Sequence, residues 1–289
     1  MREFMKSIIN RLPFFIFVKI KSLFKLGYII NLKHPKTFNE KINHRKKNWN
    51  DPIYSICSDK LRAKEYVADK VGDRYVLRTL FNSDSIHYDD VTLLIEKYGK
   101  VVLKANHNSG QVFIIKEMPT PERIRSIVKS LNSQMSDDYG KVKHEPWYSS
   151  IAPRIFAEEV LIDEARNDIL DYKFHVFTNK YSSSQDVVLQ VDFDRHSNHT
   201  RTMYDENFNV LPFSWAKASI YSDLPKPKNF SEMVSVAKAL GRDFAYVRVD
   251  LYSVNGQIYF GEMTFAHGSG FERFSSVFYD IWMGNKWVM

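Results

Sequence analysis

A single cysteine, Cys57, is all the thiol chemistry available to 289 residues. No internal disulfide can form, and the chain suits a reducing compartment such as the cytoplasm. Long apolar runs are also missing. The uncharged stretch from Leu12 to Val18 is far short of the roughly 20 residues a membrane-spanning helix needs. No small-residue cleavage site follows it and lysines interrupt the apolar region, which argues against a secretory signal. The sequence contains no Gly-x-x-x-x-Gly-Lys-Ser/Thr phosphate loop, no Gly-x-Gly-x-x-Gly fingerprint and no Gly-x-Ser-x-Gly nucleophile elbow, so P-loop, dinucleotide and elbow-type hydrolase sites are excluded. Long repeats and low-complexity runs are absent too. Acidic residues are scarce at one end: residues 1–50 hold 12 Lys or Arg against 2 Asp or Glu, a net +10 that leaves −3 for the rest of a chain whose total is +7. Nucleic-acid binding would spread basic residues over the folded body, so this asymmetry points to an anionic membrane surface or an anionic polymer.

What is present describes a folded protein with ample core, 44% hydrophobic and 15% aromatic, enough for one large or two modest domains. The organising stretch is Tyr246–Tyr252 followed by Gln257–Thr264, two β-rich runs joined through Val254-Asn255-Gly256. The Asn-Gly pair suits the positive backbone angles of a tight hairpin turn. Alternation puts Arg248, Asp250 and Tyr252 on one face of the first strand, and Phe260, Glu262 and Thr264 on one face of the second. If those faces match, Asp250 and Glu262 converge beside Arg248. Two carboxylates and a cation among apolar neighbours suit a magnesium ion carrying phosphates; a structural ion cluster accounts for the same residues.

Along the rest of the chain, residues 4–30 interleave lysines with aromatics, as in an interfacial amphipathic helix on an anionic leaflet, or in a helix packed on the protein's own body. Thr37 with Glu40 forms a capping box for a helix, and Ser58–Gly72 reads as a second capped helix ended by Gly72. Lys100–Lys104 is a strand, Ala105–Gln111 a small polar loop and Val112–Lys116 another strand. Residues 119–150 read as helical around a polar loop at 136–140. Ile155–Ile162, Leu170–Thr178 and Val187–Asp194 are strands, the last containing Asp192-Phe193-Asp194. A loop-rich stretch spans 196–229, and a helix runs from Ser231 to Leu240. His-x-Ser-Gly occurs at 107–110 and again at 267–270.

Taken in order, Thr37-Phe38-Asn39-Glu40-Lys41, Leu103-Lys104 with His107-Asn108-Ser109-Gly110, Asp171-Tyr172-Lys173-Phe174, Arg248-Val249-Asp250-Leu251-Tyr252 and Phe260-Gly261-Glu262-Met263-Thr264-Phe265 resemble the ATP-grasp superfamily. Within it they resemble the TupA-like branch, found among capsule and surface-polysaccharide proteins. The resemblance implies an α+β fold whose two lobes hold ATP between two antiparallel sheets, without a full N-terminal pre-grasp domain. It divides the chain into a basic helical region over 1–50 and a grasp region over 51–289, with an N-lobe to 157 and a C-lobe from 158. It also implies site roles. Lys60 and Lys104 would sit on the ATP phosphates, and Asn106–Gln111, including His107, Ser109 and Gly110, would cover them as a mobile lid. Backbone around Glu158, Glu159, Val160 and Leu161 would bind adenine. Lys173, beside Asp171, would bind phosphate, and Arg248 would stabilise the transferring phosphoryl group. Asp250 and Glu262, with Thr264 where the superfamily has Asn, would hold Mg²⁺. His107 and His267 are candidates for amine deprotonation, substrate binding or structural hydrogen bonding.

The activity so implied is an ATP-dependent carboxylate-amine ligase working through an acyl-phosphate. The acid would be a uronic acid of an acidic glycan or lipid-linked sugar, the amine a small amine or amino acid. Such an enzyme would work in the cytoplasm, held peripherally at the inner face of the plasma membrane. A glycosyltransferase using a nucleotide sugar and a noncatalytic scaffold are the competing readings. They are separable by which nucleotide, if any, the protein binds.

Overall fold

The computed structural model describes residues 12–163, 169–193, 198–219 and 224–289. The basic segment 1–11, His196 and Asp194 of the Asp-x-Asp triplet lie outside them. Among the described residues no helix is long and apolar enough to cross a membrane.

The first lobe is an antiparallel sheet of β1 (Thr79–Ser83), β2 (Val101–Ala105), β3 (Phe113–Ile115) and β4 (Ile155–Glu159), in the order β1-β4-β2-β3. Burial alternates along β2. Val101 and Leu103 enter a core with Val91, Leu94, Ile124, Ile127 and Leu131 of two covering helices, Tyr88–Tyr98 and Pro121–Gln134. Val102 and Lys104 therefore face the other way, toward the second lobe.

The second lobe carries β5 (Asp171–Thr178), β6 (Gln185–Phe193), β7 (Thr200–Tyr204), β8 (Tyr246–Val254) and β9 (Gln257–Thr264), in the antiparallel order β7-β6-β5-β8-β9. The helix Phe230–Gly241 covers one face so closely that a Cβ at Gly241 would stand 2.5 Å from Val176 Cγ1. The opposite face grades from apolar to charged. Cross-strand pairs run Phe177–Tyr246, His175–Arg248 and Lys173–Asp250. Phe38, fully buried at the start of the helix Phe38–Asn48, seals the apolar end edge-on against Phe177, Trp215 and Tyr246. The charged end is left facing the first lobe.

Several expected boundaries move. The Thr37/Glu40 capping box forms, with Glu40 N donating to Thr37 Oγ1 at 3.1 Å and Thr37 N to Glu40 Oε2 at 2.9 Å. The helix expected over Ser58–Gly72 starts only at Arg62 and runs to Val71, while Ser58 ends a separate helix, Ile53–Ser58. Asn106 of the distant loop after β2 draws the break open: its side chain holds Asp59 at 2.9 Å and its carbonyl accepts from Lys60 N at 3.2 Å. Cys57, Ala63, Val67 and Tyr75 then join the core of the second lobe, not the first, and β4 runs as one strand through the expected 157/158 boundary. The stretch expected to be loop-rich contains β7, and β1 and the helix Tyr88–Tyr98 were not expected. Finally, Asp250 pairs with Glu262 but Leu251 pairs with Phe260. A bulge at Gly261 absorbs the extra residue and turns Phe260 into the core, so it does not share the face of Glu262. The helix Phe14–Leu26 packs on the body through Phe17, Val18 and Leu26 against Ile30, Leu32 and Phe271, and leaves Phe15, Ile16, Leu23 and Phe24 exposed.

Candidate active site between the lobes

A cavity of about 650 Å³ lies between the two sheets. From the first lobe it is lined by Lys104 and by Asn108–Val112, with Lys60 at the helix break. From the connecting segment come Glu158–Asp163. From the second lobe come Asp171, Lys173, Asp192, Asp250, Tyr252 and Glu262. Twelve of the fifteen sequence-predicted residues meet here; His107, Arg248 and Thr264 do not line the cavity.

Arg248 and Thr264 sit directly behind the lining. Arg248 grips Asp250 with two donors, Nε at 2.6 Å and Nη2 at 2.7 Å, and reaches Glu262 at 2.6 Å. Lys173 Nζ donates to Asp250 at 2.9 Å and lies 3.2 Å from Asp171. Burial would raise the Asp250 carboxyl, but Arg248 and Lys173 outweigh it and hold it well below the usual carboxylate range. Burial likewise opposes the Arg248 charge, and Asp250 and Glu262 more than offset it. Glu262 remains the open member, its side chain 40% exposed. Thr264 pairs with Arg248 across the hairpin, and its hydroxyl donates to Glu262 Oε1 at 3.4 Å.

The facing wall is cationic. Lys60 donates to the Asn108 carbonyl, and burial pushes its ammonium down to about 8 against the counter-pull of Glu262. Among the described residues no carboxylate forms an ion pair with it. Lys104 and Lys64 share Glu158, the latter at 3.0 Å. Burial would raise that carboxyl, and the two lysines outweigh it. Glu159 turns outward to Arg78 at 3.1 Å.

The expected lid is largely anchored. Asn106, His107 and Asn108 are buried, with His107 Nε2 3.1 Å from the Gln134 carbonyl and Asn108 Nδ2 donating to Gln134 Oε1 at 3.1 Å. Only Ser109–Gln111 are exposed. At Gly110 a Cβ would stand 2.1 Å from Gln134 Oε1, so glycine is what lets the loop close on that side chain. His107 thus holds the loop and does not line the cavity.

Sequence reasoning missed the support behind Arg248. Its Nη1 lies 2.8 Å from His267 Nδ1. A guanidinium can only donate, so Nδ1 carries the lone pair and the imidazole is neutral, with Nε2–H given to Glu272 at 3.0 Å. Burial lowering the His267 pKa agrees. Arg201 then links Glu272 at 2.8 Å to Asp192 at 2.7 Å. Structural hydrogen bonding was one of the roles open to His267, but nothing in the sequence pointed to Arg248 and Glu272 as its partners.

The chemistry of the donor set fits Mg²⁺ with a polyphosphate. Among the described residues no cluster of three His, Cys, Asp or Glu offers a self-sufficient metal cage. Two adjacent carboxylates opposite under-neutralised lysines are what a metal shared with phosphate oxygens requires.

Two antiparallel sheets closing on a cavity, cations on one wall and paired carboxylates on the other, are the ATP-grasp architecture. The chain belongs to the TupA-like ATP-grasp family, whose sequence model matches residues 40–288. Among solved structures it is similar to D-alanine–D-alanine ligase from Helicobacter pylori, with 12% identity, TM-score 0.45, covering 81% of this chain and 62% of that one. It is similar to the Bacillus anthracis D-alanine–D-alanine ligase at 16%, 0.39, 72% and 57%, and to the ATP-grasp ligase PsnB complexed with minimal precursor at 13%, 0.39, 75% and 55%. The chain thus spans 55–62% of the length of these three ligases. No curated protein matches it.

Proposed function

We propose that this protein is an ATP-dependent carboxylate-amine ligase that forms an amide through an acyl-phosphate and releases ADP. The observation that carries this reading is the juxtaposition of the Arg248–Asp250–Glu262–Lys173 floor with Lys60 and Lys104 across one cavity. ATP would lie with its adenine against Glu158–Leu161 and its phosphates between Lys60, Lys104 and Lys173. Asp250 and Glu262 would hold Mg²⁺, which when bound neutralises phosphate charge. Thr264, donating to Glu262, orients that carboxylate.

The substrate acid attacks the γ-phosphoryl group with a carboxylate oxygen, the bond to the β-phosphate oxygen breaks, and ADP leaves. The amine nitrogen then attacks the acyl carbon, phosphate departs and the amine proton is lost. The cations are needed because ATP and carboxylate repel one another until neutralised, so positioning and charge stabilisation do most of the work. Arg248, held from behind by neutral His267, would stabilise charge on the transferred group.

For substrates we propose a uronic acid of a capsular or other surface polysaccharide, or of its lipid-linked precursor, and a small amine or amino acid. The basic N-terminal region supports that choice. Its helix, with Phe24 76% exposed beside Lys21 and Lys25, also supports peripheral attachment to the inner face of the plasma membrane. The test is release of ADP from Mg²⁺-ATP on mixing with candidate acids and amines. Stabilisation by a nucleotide sugar and not by ATP would favour a glycosyltransferase instead.

A further inference from the structure

Glu158 lies on an inner strand, β4, opposite Thr79 of β1 on one side and Val102 of β2 on the other. It is buried, only 6% exposed, yet it lines the interlobe cavity. Its two oxygens are used separately: Lys104 takes Oε1, and Lys64 takes Oε2 at 3.0 Å. One cation suffices to neutralise a carboxylate, so one of the two lysines is surplus to it.

The two lysines are held differently. Lys64 comes from the helix Arg62–Val71, whose Ala63 and Val67 pack in the core of the second lobe, and it reaches across to the first-lobe sheet. There its Nζ donates to the Leu77 carbonyl at 2.9 Å and to Thr79 Oγ1 at 3.0 Å, besides its ion pair with Glu158. An ammonium has three donors, and Lys64 has a partner for each. It does not line the cavity. Lys104 extends from β2 into that cavity, where Glu158 is its one hydrogen-bond partner among the described residues. Lys64 is therefore the fixed cation of the pair and Lys104 the releasable one.

We propose that Lys64 is a positioning residue that keeps Glu158 neutralised while Lys104 leaves it for a nucleotide phosphate. The inference rests on the ligase reading, because it takes Lys104 as a phosphate ligand. Without Lys64, departure of Lys104 would strand a buried carboxylate with no cation, a costly state, and Lys104 would stay on Glu158. With Lys64 anchored by two further acceptors, Glu158 loses one ion pair and keeps the other. Lys64 itself touches no phosphate.

The test is titration calorimetry with Mg²⁺-ATP on the full chain and on its Lys64→Gln, Glu158→Gln and Lys64→Gln/Glu158→Gln variants. Lys64→Gln should bind about tenfold or more weakly than wild type, the loss of one charge-assisted contact as Glu158 retains Lys104. Glu158→Gln frees Lys104 whichever residue stands at position 64, so in that background Lys64→Gln should change affinity by less than about twofold. A lysine that merely supported the fold would weaken binding in both backgrounds. Wild-type affinity in Lys64→Gln, or an undiminished loss in the Glu158→Gln background, overturns the proposal. Should Lys64→Gln alone fail to fold, the two Glu158→Gln proteins still decide, equal affinities supporting the proposal and a tenfold difference refuting it. A wild-type chain that does not bind Mg²⁺-ATP sinks the ligase reading and this inference together. Wild-type binding with an indifferent Lys64→Gln variant sinks this inference alone.

Discussion

The two walls of the interlobe cavity solve opposite electrostatic problems. On the second-lobe floor every buried charge has its complement: Asp250 is held by Arg248 and Lys173, and Arg248 by Asp250 and Glu262. On the first-lobe wall Lys60 has, among the described residues, a carbonyl and no ion pair, and Lys104 shares one glutamate with Lys64. The floor is built before any ligand arrives, because β8 and β9 are adjacent strands and their cross-strand pairs come with the register. The wall is built by tertiary contacts that carry cations in under solvent and leave them short of anions. A pre-neutralised floor contributes to stability, whereas an under-neutralised wall lowers stability and, in the proposed reading, would favour a bound phosphate.

The largest effect expected from this contrast is at Asp250. Asp250→Asn strands Arg248 and Lys173 in a buried place, which should lower unfolding free energy by roughly 3–5 kcal/mol and cut ADP release by on the order of 10²-fold or more. A urea melt and a coupled ADP assay read the two, and wild-type values in both would dissolve the distinction. Lys60→Met should do the reverse to stability, holding or raising the melting temperature of the free protein, while weakening Mg²⁺-ATP binding about tenfold or more. A destabilised Lys60→Met would mean that the wall is as fully satisfied as the floor. His267→Ala should lower kcat about tenfold, the scale of one hydrogen bond to a charged group, with little change in the KM for ATP. His267→Gln, whose amide oxygen can accept from Arg248, should recover part of it. Thr264→Val, losing only a long hydrogen bond, should stay within about threefold.

The contrast also has a pH signature. The Lys60 ammonium is lowered from about 10.5 when unfolded to about 8 when folded, so the unfolded chain binds more protons between those values. The contribution of Lys60 to unfolding free energy therefore rises with pH from 8 to 10.5. Affinity for ATP should fall over the same interval as the ammonium discharges, a loss that Lys60→Met would not show. Nucleotide titrations at pH 7 and pH 9.5 on both proteins check the sign.

Part of this site was legible residue by residue. The Asn255-Gly256 turn has the positive φ values, 50° and 78°, that a tight hairpin demands, and it pairs the strands as far as Leu251 with Phe260; the shift beyond them sets Asp250 opposite Glu262. The period of two of a strand placed Lys173 beside Asp171. The bulge at Gly261 was not legible, since one extra residue changes no local preference yet turns Phe260 into the core. Nor was β7: its residues find a strand only because β6 offers an edge. Lys64 joined Glu158, and Arg201 joined Glu272, across 94 and 71 positions of sequence, where spacing carries no information about distance.

The sequence alone determined those features whose partners lie within a hairpin or a helical turn, because short-range geometry fixes them: the capping box of Thr37 and Glu40, the β8–β9 hairpin, and the order of charged motifs that marks the family. Only the tertiary structure decided which charges would be neutralised. Asn106 breaks a helix 47 positions away to deliver Lys60, and His267 closes on Arg248 from behind. The energy of a buried charge depends on every group brought around it, and that set exists only once the chain has folded.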